Sequence, residues 1–223
     1  MALAMAASGS TDSKVWSTKV MDLANAPGEP ILPGELGKAL ELIAAQGPNG
    51  FTLSEAAKTA DVTPAAVYRH FAGREDLLAE VARQGYDIFA ALMEYAYDDG
   101  KPSALAAFES TGRAYLAFAR KYPGHYMAMF ESGLSLNAFP DLALVAEKAR
   151  SVLEKAAANL SEQMPESRRP PPAMFSAHVW AMSHGVVELF MRGQSRSPFP
   201  PEDLLETGIG IYLRGLGLLS PDR

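Results

Sequence analysis

The sequence predicts an all-α protein in which three short helices precede a long helix and a larger helical region. Apolar residues recur every three or four positions from Gly34 onward, which is the period of an amphipathic helix. No segment alternates apolar and polar residues in the manner of a half-buried strand. Gly and Pro separate the helical stretches, for example at Gly47-Pro48 and at Gly100.

Composition limits the functions that the chain can have. Its 223 residues are 48% hydrophobic and 21% charged, enough for one large or two small domains. No apolar run approaches the ~20 residues of a membrane span, and the N-terminus lacks the basic region of a secretory signal. The absence of cysteine excludes disulfides, zinc fingers and cysteine nucleophiles and favours a cytoplasmic protein. A net charge of −6 argues against a protein that coats nucleic acid non-specifically.

The first elements can be placed from their start and stop signals. Residues 1–33, rich in Ala, Ser, Gly and Pro, are predicted to be a mobile extension. Lys14 and Lys19 could form an arm on DNA, although an unstructured tail is the simpler interpretation. A first helix then ends at Gly47-Pro48. Thr52 and Glu55 have capping-box spacing and open a second helix that ends near Asp61.

A third short helix and a long one follow. Thr63 and Pro64 are favourable at the cap and first position of a helix that should run to about His70. Gly73 precedes a long helix, 74–97, with acidic residues in its first turn. Further helices are predicted at about 103–120, 124–136, 141–160 with Asp141 as its cap, 173–192 and 202–218.

The short helices have the chemistry of a helix-turn-helix. In that motif the second helix enters the major groove of DNA, and its N-terminal residues meet base edges. Tyr68 and His70 can donate hydrogen bonds to phosphate oxygens, although alone they could equally be a capping and packing pair. Ala65 and Ala66 permit close approach to the bases. Arg74 carries a positive charge at a helix start, where an external phosphate would offset its conflict with the helix dipole.

The segment "GFTLSEAAKTADVTPAAVYRHFAGREDLLAEV" resembles the DNA-binding region of the TetR family of transcriptional regulators. The shared pattern is a Thr that opens the second helix, an Ala pair inside it, a "V-T-x-x-x-x-Y-x-H-F" recognition helix and an "R-E-x-L" start to the fourth helix. The resemblance implies an all-α homodimer, with an operator-binding domain at 34–83 and a ligand-binding and dimerisation domain at 84–223. The ligand would release the DNA, which is the action of a repressor. The DNA-binding residues would be Thr52, Thr63, Pro64, Ala65, Ala66, Tyr68, Arg69, His70 and Arg74.

A second, shorter resemblance lies near the C-terminus. Trp180, His184 and Gly185 in "WAMSHGVVEL" are similar to the Trp-His-Gly signature of one class of C-terminal domains in this family.

The charge of the first domain departs from the family pattern. Residues 34–84 hold five basic and seven acidic side chains, a net charge of −2. Few phosphate contacts and weak non-specific affinity follow from this balance. A family member that has lost DNA binding therefore stays open as an interpretation. So does an all-α enzyme or small-molecule carrier whose helix-turn-helix is fortuitous.

The C-terminal region predicts a dimer and a ligand cavity but no catalytic or metal site. His178 and His184 do not have the four-residue spacing of helical metal pairs, and no cofactor loop or catalytic triad stands out. The helices at 173–192 and 202–218 are apolar and glycine-rich (Gly208, Gly210, Gly215, Gly217), as a dimer interface requires. A small apolar or aromatic effector is expected between the preceding helices. Its predicted contacts, which would serve equally well as ordinary core, are Phe108, Tyr115, Met127, Phe130, Phe175, Trp180, Met182 and His184.

Overall fold

Every regular element in the described part of the chain is a helix or helical turn. The computed structural model describes residues 34–193 and 196–219, and these ranges contain no strand. The predicted all-α class is confirmed. The predicted mobile extension at 1–33 lies outside the described residues. Within the described ranges, no helix is long and apolar enough to cross a bilayer.

The N-terminal helices form the predicted helix-turn-helix. They are α1 (Gly34–Gln46), α2 (Leu53–Thr59) and α3 (Pro64–Tyr68). Thr52 and Glu55 form the predicted capping box of α2, and Thr63 caps α3 by accepting a hydrogen bond from the Ala66 N–H. α2 packs against both α1 and α3. The small core between them is formed by Ala39, Ile43, Phe51, Leu53, Ala56, Ala57 and Val67.

A long helix, α4 (Arg74–Tyr97), connects this unit to the rest of the chain. Its bounds match the predicted range 74–97. Acidic residues in its first turn stabilise the helix N-terminus, and Asp98, Asp99 and Gly100 end it with left-handed backbone. The predicted domain border at 83/84 falls inside α4 and stays a prediction.

Five more α-helices form the C-terminal region: α5 (Ala104–Lys121), α6 (Pro123–Phe130), α7 (Pro140–Ser161), α8 (Pro172–Val186) and α9 (Pro201–Gly215). A π-helical segment, Val187–Arg192, continues α8. α4 packs against α5, α6 and α7, and α8 packs against α7 and α9. α6 also packs against α1, so this one short helix joins the helix-turn-helix to the C-terminal core.

Four predicted details are wrong. The helix predicted at about 124–136 is α6, which ends at Phe130; Gly133, with a positive φ of 72°, lies in the loop that follows. α3 ends at Tyr68 rather than His70, because the Arg69 and His70 N–H groups bond three residues back and tighten the last turn. Asp141 is not the cap of α7, because the helix already begins at Pro140. Gly217 lies beyond α9: its positive φ of 79° lets the chain turn where that helix stops.

Candidate DNA-binding surface and ligand site

α3 presents the side chains predicted to meet DNA. Val67 points into the core and is 2% exposed, whereas Tyr68 on the next position is 53% exposed. Because Val67 anchors α3 on α2, the helix keeps one orientation. Most predicted DNA contacts in this segment are exposed, and Ala66 is half-buried; the exposed ones are Thr63, Pro64, Ala65, Tyr68, Arg69 and His70.

The two capping threonines differ in whether their hydroxyl protons are free to donate a hydrogen bond to DNA. Thr52 Oγ1 accepts from the Glu55 N–H and donates to Glu55 Oε2 at 3.0 Å, so its proton is already used. Thr63 Oγ1 accepts from the Ala66 N–H at 3.3 Å. Within the described chain its own proton has no acceptor, which leaves it available to a phosphate oxygen. Thr63 is therefore the better phosphate donor of the two.

Arg74 is held in place by the chain rather than extended into solvent. Its Nη1 donates to the Asn49 carbonyl oxygen at 3.3 Å, which ties the start of α4 to the α1–α2 turn. The side chain is half-buried. Since a guanidinium has five donors, this bond leaves others free to meet a phosphate.

The remaining cations of the domain divide into two groups. Lys38 pairs with Glu41 at 2.9 Å, and Arg83 pairs with Glu80 at 2.7 Å and Asp87 at 2.9 Å, all on their own helices. Neither Lys58 nor Arg69 forms an ion pair within residues 34–193 and 196–219. Arg69 follows α3 directly, so it is the cation best placed beside the exposed residues of that helix.

In the C-terminal region, four predicted ligand contacts come together. Phe130 lies 6.1 Å from Trp180 and 5.1 Å from His184, and Tyr115 lies 6.2 Å from Trp180, measured between ring centroids. We call these four residues, with Tyr126, the aromatic cluster. Tyr126 was not predicted, although its position four residues before Phe130 puts it on the same face of α6.

Polar groups lie at the centre of the aromatic cluster. The Tyr115 and Tyr126 hydroxyls lie 2.8 and 2.9 Å from His184 Nδ1. Burial raises the pKa of both tyrosines, and the nearby Glu188 carboxylate raises both pKa values further, so both hydroxyls stay protonated. Tyr86, in edge contact with Phe130, has its pKa raised to about 12 by burial.

The other four predicted ligand contacts are in contact with residues outside the aromatic cluster. Phe108 and Phe175 contact each other at 5.2 Å between ring centroids. The Met127 methyl group lies next to Gly47, in the α1–α2 turn, and Met182 lies next to Gly208 in α9. Their part in a ligand site stays a prediction.

Two family models match the chain. One is described as "Bacterial regulatory proteins, tetR family" and matches residues 36–81. The other is described as "Tetracyclin repressor-like, C-terminal domain" and matches residues 108–212. Together they span well over half of the chain. This chain belongs to the TetR family. It is a transcriptional regulator with a DNA-binding helix-turn-helix and a C-terminal ligand-binding region. The finer resemblance of Trp180, His184 and Gly185 to the Trp-His-Gly class stays a prediction.

Several solved structures share this fold at low sequence identity, and one of them, PfmR, is a TetR family transcriptional regulator. PfmR from Thermus thermophilus is 18% identical, with a TM-score of 0.66 over 81% of this chain and 97% of PfmR. AibR, in complex with isovaleryl coenzyme A and operator DNA, is 19% identical, with a TM-score of 0.65 over 79% and 95% of the two chains. The ketosteroid regulator KstR2 of Mycobacterium tuberculosis is 16% identical, with a TM-score of 0.62 over 81% and 92%. No curated protein matches the sequence.

Proposed function

We propose that this regulator is a homodimeric repressor that binds a near-palindromic operator and is released by a small, largely apolar molecule. Such a repressor acts in the cytoplasm. One observation supports the DNA-binding part of this proposal: Val67 is buried and holds α3 against the domain, while the outer face of α3 is exposed. AibR, with the same fold, has been solved with operator DNA and isovaleryl coenzyme A, which supports a shared architecture for both activities.

On DNA, the two ends of α3 have different tasks. Pro64, Ala65 and Ala66 lie at its N-terminus, where a recognition helix meets base edges. Tyr68 and His70 lie at its other end and donate to phosphates, which position the protein without reading sequence. The internal ion pairs of Lys38 and Arg83 leave few cations for the backbone, so the affinity depends weakly on salt.

Exposed apolar surface on the last helices supports the dimer. Met174, Leu189 and Ile211, on α8, its π-helical continuation and α9, are all more than half exposed. A Cβ atom added at Gly215 would meet nothing within 4 Å, so α9 presents a flat backbone there. A second copy packed on this surface would bury these groups by a two-fold interface. The two α3 helices would then lie about one DNA turn, ~34–36 Å, apart when bound.

The aromatic cluster is the proposed effector site. Its rings lie on α5, α6 and α8, and pockets between helices of a bundle commonly bind small molecules. α6 contacts α1 on its other side, and α4 runs directly into the helix-turn-helix. An effector that binds best when α6 and α4 are displaced from their positions in this structure would change the spacing of the two α3 helices. The effector must bind more tightly to the dimer conformation that does not fit DNA than to the one that does. Otherwise it does not shift the equilibrium between the two conformations.

One observation favours a second candidate, a family member that regulates without strong DNA binding. The net charge of −2 over residues 34–84 weakens attraction to DNA. Selection from a randomised duplex library separates the two candidates. Enrichment of a near-palindrome with half-sites one turn apart supports the repressor. No enrichment at low salt overturns it and leaves the second candidate.

A further inference from the structure

A carboxylate lies on the same side of its helix as the predicted ligand contacts. Trp180, His184 and Glu188 follow one another at four-residue spacing along α8 and its π-helical continuation. This spacing puts their side chains on one face. Glu188 also lies near enough to Tyr126 and Tyr115 to raise the pKa of both hydroxyls. Glu188 is therefore part of the wall around the aromatic cluster.

Glu188 has an oxygen that the described chain does not satisfy. Its Oε1 is buried and has no hydrogen-bond partner among the described residues. A buried acceptor without a partner destabilises the fold, and more so when the group is charged. Because nearly all buried polar groups have a partner in protein or ordered water, such an exception points to a bound group that completes it.

Arg192, four residues after Glu188, is already paired with another carboxylate. Arg192 Nη2 donates to Glu131 Oε2 at 3.1 Å, and Nε lies 2.8 Å from Oε1, although its N–H is not aimed at that oxygen. The Arg192 guanidinium also lies over the Tyr126 ring, 5.6 Å from its centroid. Arg192 is thus committed to Glu131, and it donates no hydrogen bond to Glu188 Oε1.

A cleft lies next to this region, on the side of Arg192. A cleft of about 570 Å³ opens beside Arg192, between the C-terminal helices and α1. Its walls include Phe190, Met191 and Pro123, so an apolar body can follow it. Arg192 borders both the cleft and, through its contact with the Tyr126 ring, the aromatic cluster.

We propose that the effector is an amphiphilic organic cation, with an apolar or aromatic body and an ammonium group that pairs with Glu188. The inference rests on the proposed effector function of the aromatic cluster. The faces of Trp180, Phe130 and Tyr126 attract a positive charge, and an ammonium N–H supplies the donor that Glu188 Oε1 lacks. A neutral alcohol can donate a hydrogen bond to that oxygen but gains no attraction between opposite charges, and a carboxylate ligand has no donor for it.

Three compounds that share one body test the charge. They are 4-phenylbutylammonium, 4-phenylbutan-1-ol and 4-phenylbutanoate. The sequence has two tryptophans, so in a Trp16→Phe background the quenching of Trp180 fluorescence reports binding at the cluster. We expect the ammonium compound to bind at least about tenfold more tightly than the alcohol, and the carboxylate to bind most weakly.

Glu188→Gln should abolish the preference for the ammonium compound. Glu162→Gln, which removes the same charge from an exposed position at the end of α7, should keep it. If Glu188→Gln fails to fold, Glu188→Met tests the same loss of charge. Two results would contradict the proposal that the effector is a cation, without contradicting the effector site itself. One is equal affinity of the parent protein for the alcohol and the ammonium compound. The other is a preference for the ammonium compound that persists in both Glu188 variants. No quenching by any of the three overturns the effector site as well.

Discussion

Gly124 of α6 lies directly against the backbone of Leu40 in α1. A Cβ atom at position 124 would be 2.7 Å from the Leu40 carbonyl oxygen, closer than real Cβ atoms come to other atoms. Since that oxygen belongs to a helix backbone, it cannot rotate away as a side chain can. The contact fixes the distance between α6, which carries Tyr126 and Phe130, and the first helix of the DNA-binding unit.

Gly124→Ala should therefore separate these two helices. We expect the free energy of unfolding to fall by about 1–3 kcal/mol, the usual cost of overpacking. Gly37→Ala is the matched control: it lies in α1 with nothing within 4 Å of the added Cβ, and should stabilise the protein by up to about 1 kcal/mol. Chemical denaturation measures both. Equal stability of the two variants would show that the α1–α6 contact is not close in solution.

The proposed dimer makes a second prediction. Ile211→Glu places a charge on exposed apolar surface of α9, where a partner would have to bury it. The variant should be monomeric by light scattering at micromolar concentration. Leu144→Glu on α7, at a position that is 71% exposed, should leave the dimer intact. A monomeric parent protein, or an Ile211→Glu variant with the dimer mass, would rule out this interface.

A third prediction concerns acid stability. His125 is buried, its Nε2 has no hydrogen-bond partner among the described residues, and burial lowers its pKa to about 4 from the ordinary 6.5. Between those values the unfolded chain binds a proton that the folded protein does not. The free energy of unfolding should thus fall as pH drops from about 6.5 to 4, by at most about 3 kcal/mol from this residue.

His125→Leu isolates that contribution. The variant should lose less stability than the parent protein over the same pH range, while His178→Gln, at an exposed position, should follow the parent. Urea denaturation at several pH values gives the free energies. Parallel curves for the parent protein and His125→Leu would mean that His125 is not buried as a neutral group.

The parts of the fold that sequence predicted well are those with local signals. Thr52 with Glu55, and Thr63 with Pro64, specify helix starts through contacts within four residues, and the structure has both caps. The end of α3 was missed, because no Gly or Pro follows Tyr68 and the chain tightens through backbone hydrogen bonds alone.

The candidate ligand site was only partly predictable, for a different reason. Phe130, Trp180 and His184 were proposed from residue type, and the structure does bring them together. Glu188 was missed because a carboxylate in a helical sequence normally faces solvent. Its burial depends on α6, whose Tyr126 lies more than sixty positions earlier in the chain, and such a contact leaves no local signal.

DNA binding through α3 is the central claim, and affinity for two duplexes tests it most directly. The first duplex is the one enriched by the parent protein, and the second is unrelated in sequence. Fluorescence anisotropy at several salt concentrations should show that Tyr68→Phe and His70→Ala weaken binding to both duplexes by the same factor. Tyr95→Phe, an exposed tyrosine near the far end of α4, should change neither affinity. Unchanged affinity of His70→Ala and Tyr68→Phe for both duplexes at every salt concentration would contradict the account.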